Sequence, residues 1–153
     1  MSKKIAIISV NKKNLSAIKK SLNSINYTDF EIINPLDNFE ALLNQIKPDL
    51  IVIDDDIKKT QSFQYVLQKT RLTFEIPILL LLKNNDEELI NDENLNSNRF
   101  HFLHKPLIQR EFQSIIKIAL PSFSLEKKLR KTEYWFGNII KSVGDAIIAL
   151  DIE

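Results

Sequence analysis

Three carboxylates follow an apolar stretch of this sequence at the point where a strand would end. The stretch Leu50–Ile53 runs directly into Asp54, Asp55 and Asp56. Its β-branched residues are typical of a strand that is buried on both faces, as the inner strands of parallel sheets are. Because ligands bind at the carboxyl ends of strands in open α/β sheets, we expect Asp54 to be a reactive group at that edge. Asp55 and Asp56 are interpreted as a solvated loop.

Glycine is almost absent from this sequence. Only Gly137 and Gly144 occur among the 153 residues, so the first 136 contain none. A loop that cradles phosphate needs glycine, because its backbone amides must close around the anion. The sequence therefore excludes a P-loop and a Rossmann dinucleotide fingerprint.

Net charge and cysteine content narrow the class of partner. Twenty-one basic and twenty acidic side chains leave a formal charge of +1, so no global field favours nucleic acid or an anionic membrane. Cysteine is absent, which excludes disulfides and thiolate metal sites and is typical of a reducing cytoplasm. The longest apolar run, Ile76–Leu82, is too short to span a membrane. We expect a folded cytoplasmic protein that binds neither nucleic acid nor membranes.

Apolar strands alternate with amphipathic helices through the first 120 residues. Helices are predicted where apolar residues recur every three or four positions, and Asn11 or Asn14 can cap the first of them. Pro48 is predicted to end the second helix, since the residue before a proline leaves the helical region. The predicted strands lie at 4–10, 30–33, 50–54, 76–82 and 100–104, and the helical stripes lie at 15–25, 39–46, 63–67 and 107–119.

This alternation, with its short connections, predicts an α/β fold in which a parallel sheet carries helices on both faces. The segment 83–98 is rich in Asn, Asp and Glu and is expected to hold at most a short, poorly packed helix. Pro121 is expected to end the last of these helices, so the domain is expected to end near residue 120.

A heptad pattern follows at residues 122–143. Its apolar positions are spaced four, three, four, three and four residues apart, which is typical of a coiled-coil seam and predicts a homodimer through this helix. The alternative is that the stripe packs against the sheet of its own chain. After Gly144 the sequence predicts the first strand of a further domain. The seam residues are Leu125, Leu129, Thr132, Phe136, Ile139 and Val143.

The order of elements and two motifs resemble the receiver domain of two-component response regulators. The motifs are Asp54 at the end of the third strand and Lys105-Pro106 directly after the fifth. The resemblance covers residues 3–120. It implies a flavodoxin-like (CheY-like) sheet of five parallel strands in the order 2-1-3-4-5.

The receiver resemblance implies a role for each matching residue. Asp54 is the implied phospho-acceptor, Lys105 is the implied partner of the phosphoryl oxygens with a cis bond to Pro106, and Phe102 is the implied switch aromatic. Magnesium is implied to bind through Asp54, the backbone carbonyl of Asp56 and an acidic pair after the first strand. The implied partner is a histidine kinase or a phosphotransfer protein.

Three positions depart from the receiver pattern. Ser9 and Val10 stand where the acidic pair is implied, and Leu82 stands where a hydroxyl residue would contact the phosphoryl group. Phosphoryl transfer depends on positioning and charge neutralisation. The missing groups should therefore weaken both Mg²⁺ binding and the reactivity of Asp54. The chain resembles a degenerate receiver.

The end of the sequence carries a second resemblance. Residues 125–133 and 139–151 resemble the helix that enters a PAS sensory domain and the first strand of that domain. The implied organisation is a receiver-like domain at 1–120, a signalling helix at 121–143 and the start of a PAS domain at 144–153. This order resembles the N-terminal part of a sensor histidine kinase or a cyclic-dinucleotide enzyme, although no catalytic motif of either occurs here.

Three functions follow from these observations. In the first, Asp54 accepts a phosphoryl group and the change passes along the helix at 122–143. The second is a non-phosphorylated interaction and dimerisation module, in which Asp54 and Lys105 form a structural ion pair. The third, a flavodoxin-like small-molecule binder, lacks a glycine loop to hold a phosphate. His101 and His104 are expected on opposite faces of a strand, which argues against a metal site between them.

Overall fold

The chain divides into two compact units, Met1–Leu120 and Pro121–Glu153. The first unit contains a sheet with its helices, and helix makes up the described part of the second. The structure is a computed structural model that describes residues 3–56, 63–83 and 99–151, without the side chains of 122–124, 126–127 and 145–151.

Five parallel strands form one sheet. They are β1 (Ile5–Ile8), β2 (Phe30–Ile33), β3 (Leu50–Asp54), β4 (Ile78–Leu82) and β5 (Phe100–His104). Their order is β2-β1-β3-β4-β5, so the predicted fold class and strand order are confirmed. β4 begins two residues later than predicted, because Pro77 has no N–H to contribute to the ladder.

Four helices are described. They are α1 (Lys12–Asn23), α2 (Phe39–Ile46), α3 (Phe63–Thr73) and α4 (Gln109–Asp151). Of the two predicted caps for α1, Asn11 is the one that forms: its side-chain oxygen accepts from the N–H groups of Lys13 and Asn14 at 3.0 and 3.2 Å. α2 ends at Ile46, its C-cap residue Lys47 has a left-handed φ of 51°, and Pro48 follows as predicted.

Each face of the sheet buries its own apolar cluster. Successive residues of a strand point to opposite faces, so Ile51 and Ile53 lie in one cluster and Leu50 and Val52 in the other. α2 and α3 cover the first face, and α1 and the first turns of α4 cover the second. β3 is therefore buried on both sides, which fixes the position of Asp54 at its end.

The last helix is longer than predicted. Pro121 was expected to end it, but α4 continues from Gln109 to Asp151 with Pro121 inside. Proline cannot donate a hydrogen bond to the carbonyl of Lys117, while the turns on either side keep their own bonds. Although α4 has 43 residues, neither it nor another described helix is apolar enough to cross a membrane.

The strand predicted after Gly144 is wrong for this structure, because residues 145–151 are helical. A strand needs a neighbouring strand to satisfy its backbone N–H and C=O groups, and the described residues of the second unit include none. A helix satisfies these groups internally. The helix predicted within 83–98 falls on residues outside the described ranges, apart from Lys83.

Pro121→Ala should stabilise α4 locally, since alanine supplies the missing N–H and removes the clash of the proline ring. The expected gain is about 1–3 kcal/mol of local helix stability. It should be measured as slower amide hydrogen exchange at residues 117–125. Ile118→Ala, at an exposed position of the same helix that keeps its N–H, is the matched control. Unchanged exchange in Pro121→Ala would contradict a continuous helix at this point.

Candidate functional site

The carboxyl ends of β1, β3 and β5 bring polar side chains together at one edge of the sheet. Asp54 is the last residue of β3, Ser9 follows β1, and Lys105 follows β5. The N–H of Lys105 donates to the carbonyl of Leu82 at 2.8 Å, which ties the loop after β5 to the end of β4. The bond between Lys105 and Pro106 is cis, as the receiver resemblance implies.

Asp54 is fully buried, and both of its carboxylate oxygens accept hydrogen bonds. Oδ2 accepts from Ser9 Oγ at 3.0 Å and from Asn14 Nδ2 at 2.8 Å. Oδ1 accepts from the N–H of Asp56 at 3.1 Å and from the ammonium of Lys105. Four donors therefore converge on one buried carboxylate and offset the cost of removing its charge from water.

Asp55 and Asp56 belong to the same cluster, which corrects their interpretation as a solvated loop. Asp55 is 1% exposed and accepts from the N–H of Lys83 at 2.7 Å. The Asp56 side chain is 12% exposed and pairs with Lys83 Nζ at 2.9 Å. The loop turns inward because the Lys105 ammonium contacts all three carboxylates, pairing with Asp54 and Asp55 and lying 3.3 Å from Asp56 Oδ2.

Two asparagine amides complete the network. Asn11 Nδ2 donates to Asp56 Oδ2 at 2.7 Å, and Asn14 Nδ2 bridges Asp54 Oδ2 and Asp56 Oδ2 at 2.8 and 3.0 Å. Sequence reasoning considered both residues only as helix caps and missed this role, although their place just after β1 puts them at the sheet edge. We call the whole set the Asp54 cluster: Ser9, Asn11, Asn14, Asp54, Asp55, Asp56, Lys83 and Lys105.

Ion pairing shifts the titration of several groups in the Asp54 cluster. Burial by itself raises the pKa of Asp56, but hydrogen bonds from Lys83 and Asn11 outweigh it and lower this pKa to about 2. Burial lowers the pKa of Lys105, but hydrogen bonds to Asp54 and Asp55 outweigh it and raise this pKa above its usual value. The hydrogen bond to Asp56 raises the pKa of Lys83. At neutral pH both ammonium groups are therefore charged.

The other residues singled out in the sequence lie where their strands place them. Leu82 is buried in the apolar cluster on the α2 and α3 face and offers no hydroxyl. Phe102 is partly buried and packs against the same cluster, and Val10 is half-buried. His101 and His104 occupy positions of β5 three residues apart, so they lie on opposite faces.

A metal ion at this site would compete with cations of the protein itself. Carboxylate oxygens of Asp54, Asp55 and Asp56 lie within 4.8 Å of one another, close enough to hold an ion together. Mg²⁺ demands near-octahedral oxygen ligands. The Lys105 ammonium already contacts all three aspartates, and Asn14 presents N–H donors to two of them. As arranged, these residues do not fit Mg²⁺.

Solved structures share this fold. An adenylate cyclase from Rhodopirellula baltica superposes with a TM-score of 0.72 and 19% identity over 88% of this chain and 98% of that chain. The signal receiver domain of a modulated diguanylate cyclase from Desulfovibrio desulfuricans G20 gives 0.66 and 19%, over 82% and 99%. A response regulator receiver modulated diguanylate cyclase from Pelobacter carbinolicus gives 0.60 and 24%, over 82% and 98%. No family model and no curated protein matches the sequence. The receiver resemblance is thus confirmed for the fold.

Lys83→Met should raise the pKa of Asp56 from about 2 toward 3.8, because it removes the ammonium that pairs with this carboxylate. A carboxyl group whose pKa is lower in the folded state than in the unfolded state stabilises the protein at any pH above its unfolded-state pKa. This contribution is lost as the pH falls toward the folded-state pKa. The variant should be less stable than the wild type at neutral pH, and the difference should disappear between about pH 4 and pH 2.

Urea unfolding across this pH range, together with an NMR titration of the Asp56 carboxyl, measures both effects of Lys83→Met. Lys12→Met, at an exposed position on α1, is the matched control for loss of one lysine charge. A stability difference that stays constant with pH would contradict the pairing of Lys83 with Asp56.

Lys105→Met should destabilise the protein strongly, because it leaves buried carboxylates without their shared cation. Breaking a buried ion pair in this way costs about 3–5 kcal/mol. Mg²⁺ can then neutralise the aspartates, so it should recover part of this stability in the variant and change the wild type little. Urea unfolding with and without Mg²⁺ tests this, with Lys19→Met on the exposed side of α1 as control. An equal response of variant and wild type to Mg²⁺ would show that Lys105 does not exclude the ion.

Proposed function

We propose that this chain is a receiver-like signalling module that transmits a signal by protein contact, with the Asp54 cluster as a closed structural network. One observation carries the proposal: Asp54 is fully buried, and four donors of the chain occupy its two oxygens. A carboxylate that attacks phosphorus needs a free lone pair and room for the incoming group in line with it. Among the described residues, four donors engage both oxygens of Asp54, which supports a structural role for this carboxylate.

Charge balance supports the same function. Phosphoryl transfer needs cations that neutralise the oxygens of the transferred group. Lys83 and Lys105 already pair with the three aspartates of the Asp54 cluster. An incoming phosphoryl group would add negative charge to a site where carboxylates outnumber ammonium groups. Ser9 and Val10 supply no carboxylate to hold a compensating metal ion, and Leu82 supplies no hydroxyl.

Phospho-acceptance by Asp54 is the second candidate function, and the ion pair with Lys105 favours it. Lys105 reaches from the end of β5 to the carboxylate at the end of β3. The receiver resemblance implies this pairing for a phosphorylated aspartate. In this function a histidine kinase or a phosphotransfer protein supplies the phosphoryl group, and Phe102 acts as the switch aromatic.

The remaining assignments rest on the sequence, through its two resemblances, its heptad pattern and its net charge. Residues 1–120 are the receiver-like domain, residues 121–143 are a signalling helix that forms a homodimer, and a PAS domain follows from residue 144. The helical conformation of residues 145–151 gives the PAS assignment no structural support. By the same resemblance, the protein that carries these domains is a cytoplasmic sensor histidine kinase or cyclic-dinucleotide enzyme. A formal charge of +1 supports protein partners rather than nucleic acid or membranes.

Incubation of the wild type with acetyl phosphate and Mg²⁺ should leave its mass unchanged, because the oxygens of Asp54 are engaged. Intact-mass spectrometry measures this directly, and an active response regulator receiver in the same reaction confirms that the reagent works. Asp54→Ala and Asp49→Ala are the matched variants, since Asp49 binds the N–H of Lys4 before β3 begins and lies outside the Asp54 cluster. Addition of one phosphoryl group to the wild type and Asp49→Ala, but not to Asp54→Ala, would establish phospho-acceptance instead.

A further inference from the structure

An exposed apolar seam runs along α4 within the second unit. Its apolar members are between 39% and 66% exposed, although their spacing places them on one stripe of the helix. Exposed apolar surface of this kind is unfavourable in water, and a helix gains most of its stability by packing such a face. The seam therefore indicates contact with another helix. Its residues are Leu125, Leu129, Thr132, Phe136, Ile139 and Val143.

The residues beside the seam indicate which helix this is. In the heptad, Lys128 and Trp135 take g positions, and Glu133 and Ile140 take e positions. In a parallel, in-register pair each g residue lies beside the e residue five positions later on the other helix. Lys128 then faces Glu133 of a second copy, and Trp135 faces Ile140 of a second copy. The first contact pairs opposite charges, and the second buries two apolar side chains against each other.

An antiparallel pair of the same helices lacks the complementarity of charge. If all six seam residues are to remain paired, the two helices must cross midway along the seam. Each e residue then lies beside an e residue and each g residue beside a g residue, so Glu133 faces Glu133 of the second copy. Lys128 then faces Ser142 and gains no opposite charge. A like-charge contact replaces two attractive ones, which favours the parallel arrangement.

We propose that residues 125–143 form a parallel, in-register, two-stranded coiled coil with a second copy of this chain. Lys128 of each copy pairs with Glu133 of the other. The proposal rests on the homodimer put forward under the proposed function and adds its orientation and register. In a parallel pair both helices run in the same direction, so a displacement at their N-terminal ends can be passed along both together.

Single cysteines test orientation and register, because the chain contains no cysteine of its own. Leu125→Cys and Val143→Cys place a thiol at the two ends of the seam, where a parallel in-register pair brings each residue beside its own counterpart. Mild oxidation should therefore give a disulfide-linked dimer with each variant alone. An antiparallel pair would give one only when the two variants are mixed, and that result would overturn the proposal. Lys141→Cys, at an outer heptad position, is the control and should stay uncrosslinked.

Charge reversal tests the pairing of Lys128 with Glu133. Lys128→Glu and Glu133→Lys each place like charges at both symmetric contacts, which should raise the dimer dissociation constant roughly tenfold. The double variant restores opposite charges and should return to within about twofold of the wild type. Emission of the single tryptophan, Trp135, against protein concentration reports dimerisation, since this residue packs beside Ile140 of the second copy. Double-variant affinity as weak as that of the singles would overturn the pairing.

The mass of the wild type in solution completes the test. A dimer of the 17.8 kDa chain is expected by light scattering, and a trimer or a monomer would overturn the two-stranded coil. These outcomes are separate from the test of the proposed function. The acetyl phosphate experiment reports on Asp54, and its result does not depend on whether residues 125–143 pair.

Discussion

The ammonium group of Lys105 holds three neighbouring carboxylates at one edge of the sheet, and the rest of the site depends on it. Asp54, Asp55 and Asp56 lie close together in a largely buried loop, where mutual repulsion and desolvation would otherwise expel them. Lys105 contacts all three, and Lys83 neutralises Asp56 from the solvent side. The protein thus supplies internally the positive charge that an acidic site usually takes from a metal ion.

The polar residues after β1 donate hydrogen bonds to the carboxylates that Lys105 and Lys83 neutralise. Ser9 and Asn14 donate hydrogen bonds to Asp54, and Asn11 and Asn14 donate to Asp56. All three donor residues lie in the segment that follows β1. Uncharged donors at these positions add no negative charge to the site. They also leave no carboxylate there to bind a cation. The residues that stabilise the cluster therefore offer no metal ligand after β1, which agrees with the proposed function of a module that signals through protein contact.

Much of the fold could be predicted from the sequence, because the apolar strands and amphipathic helices of the first unit follow local patterns. The positions of Asp54 and Lys105 could also be predicted from the sequence, because Asp54 ends β3 and Lys105 directly follows β5. The roles of Asn11 and Asn14 could not be predicted, because they depend on contacts with residues some forty positions away. Three consecutive carboxylates are typical of a solvated loop, so the burial of Asp55 and Asp56 could not be predicted from the sequence. Pro121 was expected to end a helix, a local rule that the hydrogen bonds of the flanking turns override.

The central claim is that groups of the protein itself, and not a divalent cation, neutralise the Asp54 cluster. The most direct measurement follows the side-chain amide NMR signals of Asn11 and Asn14 in the wild type while Mg²⁺ is added. The account predicts that these signals stay in place and that their hydrogens remain protected from exchange, because both amides keep their bonds to Asp54 and Asp56. Saturable shifts of both amides at low Mg²⁺ concentration would contradict it.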